Sequence, residues 1–315
     1  MNSFTRENRS YPPDCVVDRW LTPDGWPLRR FHWSAAPVSE RGSILFLTGR
    51  GDMFEKYLEP FAHFRAAGWN ITSFDWRGQG GSGRISEASL AQGGFDVMAD
   101  DLGHFYRQWV SDGPGPHILI GHSMGGHLLI RALALGLVAP DAAVLVAPML
   151  GISGGFVPPW LGAAVSRLMC RVGNPARPAW KDMEKPGIGE DGRQALLTHC
   201  AERYSDELYW HQAVPELKLG PPSWHWLREA YSSLFMMAES GILERIDTPL
   251  LILAAEKDRL VDTAAICRDA ARIRDCRLHV YGAEAAHEIL READPVRLDA
   301  LRRIDAFLDE VAPAK

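Results

Sequence analysis

His117-Ile118-Leu119-Ile120-Gly121-His122-Ser123-Met124-Gly125-Gly126-His127-Leu128-Leu129-Ile130 reads as a short apolar strand, a glycine-bracketed turn and the opening of a helix. A strand that ends at the first glycine, with a helix that opens at the serine, bends the chain sharply and lifts the serine Oγ above the sheet. The helical pattern continues from Met124 to about Leu137. The same Gly-x-Ser-x-Gly spacing recurs at Gly151-Ile152-Ser153-Gly154-Gly155, but there it runs into Phe156-Val157-Pro158-Pro159. Two prolines in the first turns oppose a continuous helix. Ser123 is therefore the candidate nucleophile, and Ser153 is its rival.

Working outward from this turn, short apolar runs alternate with helical patterns. Strands are expected at Ser43–Thr48, Asn70–Trp76, His117–Ile120, Ala142–Ala147, Pro249–Ala255 and Arg277–Tyr281, with an N-terminal pair, Cys15–Trp20 and Pro27–Trp33, joined through Asp24-Gly25. Helices are expected near Glu55–Ala67, Phe95–Val110, Ala264–Arg274 and Val296–Val311. All-apolar strands alternating with helices imply an α/β fold with a mainly parallel sheet covered on both faces. From Pro148 to Gly241 the alternation fails for about 90 residues, far beyond an ordinary connection. That stretch holds five of the eleven tryptophans and many prolines. Residues 1–148 and 241–315 are expected to form the core, and 149–240 an inserted helical cap, or lid.

The composition bounds the partners. The 34 Lys and Arg against 40 Asp and Glu leave a formal charge of −6, and no basic stripe stands out, which argues against nucleic acid. The five cysteines (Cys15, Cys170, Cys200, Cys267, Cys276) show no CxxC, so a reduced, cytoplasmic setting is expected in place of a disulfide or zinc framework. The N-terminal residues lack the apolar core of a signal peptide. The long apolar region His127–Ile152 is broken by Arg131, Pro140 and Asp141, so no bilayer span is expected there.

A nucleophilic serine needs a base, and the base an orienting acid, in the chain order Ser, Asp or Glu, His. Asp258 lies three residues past the strand Pro249–Ala255, with Glu256 as the alternative. His287 follows the strand Arg277–Tyr281 in a loop of small residues. Oxyanion donors are expected at the Met124 N–H, where a helix begins, and at the Arg50 backbone N–H in Gly49-Arg50-Gly51-Asp52. The Arg50 side chain would either meet a phosphate or pair with Asp52 or Glu55. His117, His122 and His127 fall on different elements and do not suggest a metal site, while His211 could line a pocket. Gly78-Gln79-Gly80-Gly81-Ser82-Gly83 matches a dinucleotide fingerprint, but no strong helix opens after it.

These residues resemble the α/β-hydrolase family, in its monoacylglycerol lipase and bacterial lysophospholipase branch. The likeness rests on Gly49-Arg50-Gly51 with Glu55-Lys56-Tyr57, on Phe74-Asp75-Trp76-Arg77 with the glycine-rich turn, on Gly121-His122-Ser123-Met124-Gly125-Gly126, on Asp258-Arg259-Leu260-Val261 and on His287-Glu288. It implies a triad of Ser123, Asp258 and His287, an oxyanion hole at Arg50 and Met124, and no metal or organic cofactor. Thr48-Gly49 stands where the lipases usually have His-Gly, and Pro222-Ser223-Trp224-His225-Trp226-Leu227 also leans toward the lysophospholipases. The expected activity is a serine ester hydrolase acting on an acyl lipid, a lysophospholipase ahead of a monoacylglycerol lipase or carboxylesterase. An aminopeptidase, using Glu202, Glu207 or Glu216 to hold an ammonium, and a non-enzymatic ligand-binding protein are the more distant readings. The acyl chain is expected to lie on Phe156, Trp160, Leu161, Val165, Leu168 and Met169, with Phe235 and Met236 further along. Peripheral contact of the cap with the inner face of a membrane is compatible with this substrate.

Overall fold

The computed structural model describes residues 8–36, 40–153, 157–181 and 190–313. The eight strands are β1 (Val16–Leu21), β2 (Pro27–Trp33), β3 (Gly42–Leu47), β4 (Trp69–Phe74), β5 (His117–His122), β6 (Ala142–Val146), β7 (Leu250–Ala255) and β8 (Cys276–Tyr281). They form one sheet in the order β1-β2-β4-β3-β5-β6-β7-β8. β1 with β2 and β2 with β4 pair antiparallel, and every pair from β4 to β8 is parallel. The helices in chain order are α1 (Leu58–Ala66), α2 (Phe95–Asp112), α3 (Met124–Ala134), α4 (Pro159–Arg171), α5 (Glu190–Leu197), α6 (Ala201–Ala213), α7 (Trp224–Ala238), α8 (Thr263–Ala270) and α9 (Asp294–Val311).

The period-2 geometry of the central strands divides their side chains between two cores. Leu45, Leu47, Leu119, Leu145 and Ile252 join Leu102 and Phe105 of α2, Leu128 of α3 and Ile266 of α8 on one face. Ile44, Phe46, Ile118, Val144 and Leu253 join Phe61 and Phe64 of α1 and Ile304 and Phe307 of α9 on the other. Each of these buried side chains contributes about 1.5–3 kcal/mol through the water it sheds. Covering on both faces explains why these strands are apolar throughout instead of alternating.

The glycine-rich stretch 78–83 forms a turn around the protein's own carboxylate. Gly80 has φ of +49°, and a Cβ there would fall 2.2 Å from Asp75 Oδ2. Gly81 N–H donates to the same oxygen at 2.7 Å. A short 3-10 segment, Glu87–Gly93, follows in place of a long helix. An aspartate thus occupies the hollow in which a dinucleotide fingerprint would seat its pyrophosphate.

Among the described residues, four helices, α4 to α7, lie between β6 and β7. α7 also joins the core, because Ala230 and Met237 are buried beside the strands and Ser233 Oγ meets His127 Nε2 at 2.7 Å. Gly162 of α4 sits where a Cβ would come 2.4 Å from Tyr231 Oη of α7, so a small residue allows these two helices to meet.

Candidate active site

The sharp turn between β5 and α3 puts Ser123 at φ +52° and ψ −117°, a conformation that costs a non-glycine residue about 1–3 kcal/mol. Ser123 N–H donates to Val146 O at 3.0 Å, and Ser123 O accepts from the N–H groups of His127 and Met149, each at 3.0 Å. Gly125 packs against the end of β3: a Cβ there would stand 2.4 Å from both Leu47 O and Thr48 O. These contacts over-determine the strained turn.

His287 Nε2 lies 2.9 Å from Ser123 Oγ, and its Nδ1 lies 2.7 Å from Asp258 Oδ2. A carboxylate only accepts, so Nδ1–H donates to Asp258, and Nε2 of the neutral ring accepts from the serine hydroxyl. Asp258 Oδ1 accepts from the N–H groups of Leu260 at 2.8 Å and Val261 at 3.1 Å. Burial would raise the Asp258 carboxyl, but the His287 charge and hydrogen bond, helped by those N–H groups, hold it below its ordinary value. Burial would depress His287, but Asp258, with Glu288 and Asp52 behind it, holds the imidazole above its ordinary value. Glu256 turns to solvent and pairs with Lys257 at 2.6 Å. Ser153 follows the bridge between Ile152 and Val261, and its N–H donates to Leu260 O at 3.0 Å.

Met124 is the first residue of α3, so its N–H has no acceptor inside the helix. Across from it, Gly49 N–H donates to Asp52 Oδ2 at 3.0 Å and Gly51 N–H to Gln79 Oε1 at 2.6 Å, which fixes the Arg50 peptide between them. Gln79 Nε2 also reaches Met124 Sδ at 3.7 Å, so one side chain steadies both sides of the expected oxyanion hole. The Arg50 side chain corrects the expected pairing with Asp52 or Glu55 and lies in the wall of the cavity beside Ser123. Its Nη2 donates to Gly220 O at 2.7 Å, and its guanidinium lies 5.1 Å from the Trp226 ring centre. Asp52 and Glu55 are engaged by Lys56 and Arg29 instead.

Ser123 and His287 open on a cavity of about 640 Å³. Leu161 and Val165 line it as expected, joined by Trp180, Trp224, Leu227 and Tyr231, while Asp52, Lys56, Arg193 and Glu288 stand at its polar end. Trp160, Met169 and Met236 do not line it. Each residue of a helix turns by about 100°, so α4 presents Leu161 and Val165 inward and leaves Trp160 65% exposed. Leu168 is exposed, Met169 Sδ meets Arg177, and Met236 packs on the core. Phe235, half outside, lies near Tyr231. Phe156 lies outside the described residues. His211 is half-buried and is not part of the cavity wall. Among the described residues no group of three or more His, Cys, Asp or Glu side chains could hold a metal ion.

The charged end of the cavity was not legible in the sequence. Lys56 Nζ bonds Asp52 Oδ1 at 2.5 Å and Glu288 Oε1 at 2.6 Å, and lies 3.0 Å from Glu207 Oε2. Arg193 bonds Glu207 Oε1 at 2.6 Å, and Arg291 pairs with Glu288. Glu55-Lys56-Tyr57 was part of the family likeness, but nothing in it signals three buried carboxylates brought from distant parts of the chain.

A strand-turn-helix serine facing a histidine and a buried aspartate, on this sheet order, defines a serine hydrolase of the α/β-hydrolase class. The serine aminopeptidase S33 hydrolases match residues 38–294, and the chain belongs to this family. It is 31% identical over 284 residues to lysophospholipase L2 of Escherichia coli K12, covering 84% of this chain and 80% of that one. It is 27% identical over 274 residues to a probable lysophospholipase L2 of Haemophilus influenzae, covering 85% and 84% of the two chains. Among solved structures it is similar to a soluble variant of monoglyceride lipase from Saccharomyces cerevisiae in complex with a substrate analogue, with a TM-score of 0.76 at 17% identity over 98% of this chain and 97% of that one. The chain thus falls among the α/β-hydrolases, with the lysophospholipase L2 proteins as relatives.

Proposed function

We propose that this serine hydrolase is a lysophospholipase in which Ser123 is the nucleophile, His287 the base and Asp258 its orienting acid. The carrying observation is the unbroken hydrogen-bond chain from Asp258 through His287 to Ser123 Oγ at the wall of a cavity rich in aromatic and aliphatic side chains. In this reading His287 takes the Ser123 proton as Oγ attacks the acyl carbonyl, and the Met124 and Arg50 N–H groups bind the oxyanion. His287 then protonates the departing glycerol oxygen. Water, activated by the same ring, cleaves the acyl-enzyme and releases the fatty acid.

The choice of a lysophospholipid over a monoacylglycerol is supported by the two relatives named for that activity, which the chain matches over most of their length. An aminopeptidase reading is disfavoured by Glu207, which lies buried against Lys56 and Arg193 and is not presented to a substrate ammonium. We read residues 149–240 as a cap over Ser123. Trp160 and Leu168 of α4 are exposed beside the cavity, and these side chains would make peripheral contact with a lipid surface on the cytoplasmic side. Among the described residues no helix is long and apolar enough to cross a membrane.

Fatty-acid release from lysophosphatidylcholine and from monoacylglycerol of the same chain length, with wild type and Ser123→Ala, tests this reading. Faster release from the lyso-lipid, lost in the variant, is expected. Faster release from monoacylglycerol would make the enzyme a lipase, and release from short soluble esters alone a carboxylesterase.

A further inference from the structure

Lys56 is enclosed by three carboxylates that reach it from three separate parts of the fold. Asp52 belongs to the loop after β3 and also accepts from Gly49 N–H and from Tyr57 Oη at 2.7 Å, so it shapes the turn that carries the Arg50 peptide. Glu288 is the neighbour of His287 in the loop after β8. Glu207 projects from α6. Arg291 spans Glu288 and Glu207 as a second cation, and Arg193 of α5 completes the cluster. Three acids face three bases, and all six side chains are buried.

The backbone makes the same connection independently. His287 N–H donates to Leu196 O at 3.4 Å and Glu288 N–H to Leu197 O at 2.7 Å. Thr198 Oγ1 donates to Arg291 O at 2.8 Å. The segment from α5 into α6 therefore supports the loop that carries the base.

Resting on the triad reading above, we propose that Lys56 is a positioning residue that locks the oxyanion loop and the His287 loop in register and balances the negative charge behind the imidazole. Its ammonium bonds the carboxylate that shapes one loop and the carboxylate adjacent to the base in the other. Burial favours the neutral amine, but Asp52, Glu207 and Glu288 outweigh it and hold Lys56 charged. The groups that face His287 are Asp258 from the loop after β7, His122 from the end of β5 with ring centres 4.9 Å apart, Asp52 from the oxyanion loop and Glu288 from its own loop. Lys56 neutralises the last two of these, and Arg291 shares Glu288.

Two opposite changes test the charge role. In Lys56→Met the carboxylates lose their main counter-charge, so the acid limb of kcat/KM should move up by about half a pH unit or more. In Glu288→Gln a negative neighbour is removed, so the limb should move down. The double variant Lys56→Met/Glu288→Gln restores charge balance and should return the limb toward wild type. Lys56→Met should also lower kcat by about tenfold with KM little changed, because register matters most once the oxyanion forms. Should Lys56→Met fail to fold, the downward shift in Glu288→Gln and the near-wild-type limb of the double variant carry the decision. Limbs within about 0.2 pH units of wild type in every folded variant would overturn the proposal. Ser123→Ala is measured alongside: activity surviving there overturns the triad reading, whereas its loss with unmoved limbs overturns the role of Lys56 alone.

Discussion

The Nδ1 atom of His287 lies 2.7 Å from Oδ2 of Asp258, and neither side chain is more than 5% exposed. That contact sets the pH behaviour of the proposed base. Burial alone would favour the neutral ring, but the aspartate charge reverses the balance and lifts the imidazole above its ordinary value. The base works only when neutral, so the acid limb of kcat/KM should lie above the ordinary histidine value. In Asp258→Asn the largest part of the lift is gone, so the limb should move down from its wild-type position. The rate should also drop by about three to four orders of magnitude, because the ring loses its tautomer and orientation. A pH–rate profile of both proteins checks the two signs together.

Val165 and Leu161 project from α4 into the cavity beside Ser123. Val165→Trp should therefore shorten the accepted chain. Release from a long-chain lyso-lipid should fall about tenfold or more, while release from a short-chain analogue stays within about threefold. A chain-length series of kcat/KM reads the difference. Trp160→Ala should leave that series unchanged, since Trp160 faces solvent.

Gly125 and Gly220 make a matched pair for stability. A Cβ at Gly125 would meet backbone oxygens of Leu47 and Thr48 at 2.4 Å, and backbone gives way only by moving the oxyanion loop. A Cβ at Gly220 meets nothing within 4 Å. Gly125→Ala should cost about 2–4 kcal/mol of unfolding free energy and Gly220→Ala less than about 0.5 kcal/mol. Denaturant unfolding of the two variants measures both.

Arg50 ties the loop after β3, the proposed oxyanion loop, to residues 220 and 226 through Gly220 O and the Trp226 ring. Arg50→Ala should lower kcat/KM about three- to tenfold, the worth of one charged hydrogen bond and a ring contact. The loss should be equal for lysophosphatidylcholine and monoacylglycerol of matched chain length. A loss confined to the phospholipid would instead make Arg50 a headgroup ligand.

The parts of the fold that were legible in the sequence are those set by local pattern. The unbroken apolar runs of β3, β5, β6 and β7 could suit only strands buried on both sides. The serine turn was legible because its glycines and flanking elements are contiguous, and Asp258 and His287 because each follows a recognisable strand. What stayed hidden depends on contacts between distant segments. Lys56 sits on a short 3-10 turn, where a charged residue reads as solvated, and its carboxylates lie up to 232 residues away. Trp160 and Val165 have similar apolar character, and only the packing of α4 against α7 decides which one faces the cavity. Arg50 reaches a carbonyl 170 residues along the chain, which no local spacing announces.

The central claim is that Ser123 is the nucleophile, and a covalent fluorophosphonate probe tests it most directly. The folded wild-type protein should gain one adduct per chain, located by peptide mass spectrometry on the segment that carries Ser123. Labelling should vanish in Ser123→Ala and slow sharply in His287→Ala. An adduct on Ser153, or undiminished labelling of Ser123→Ala, would contradict the account.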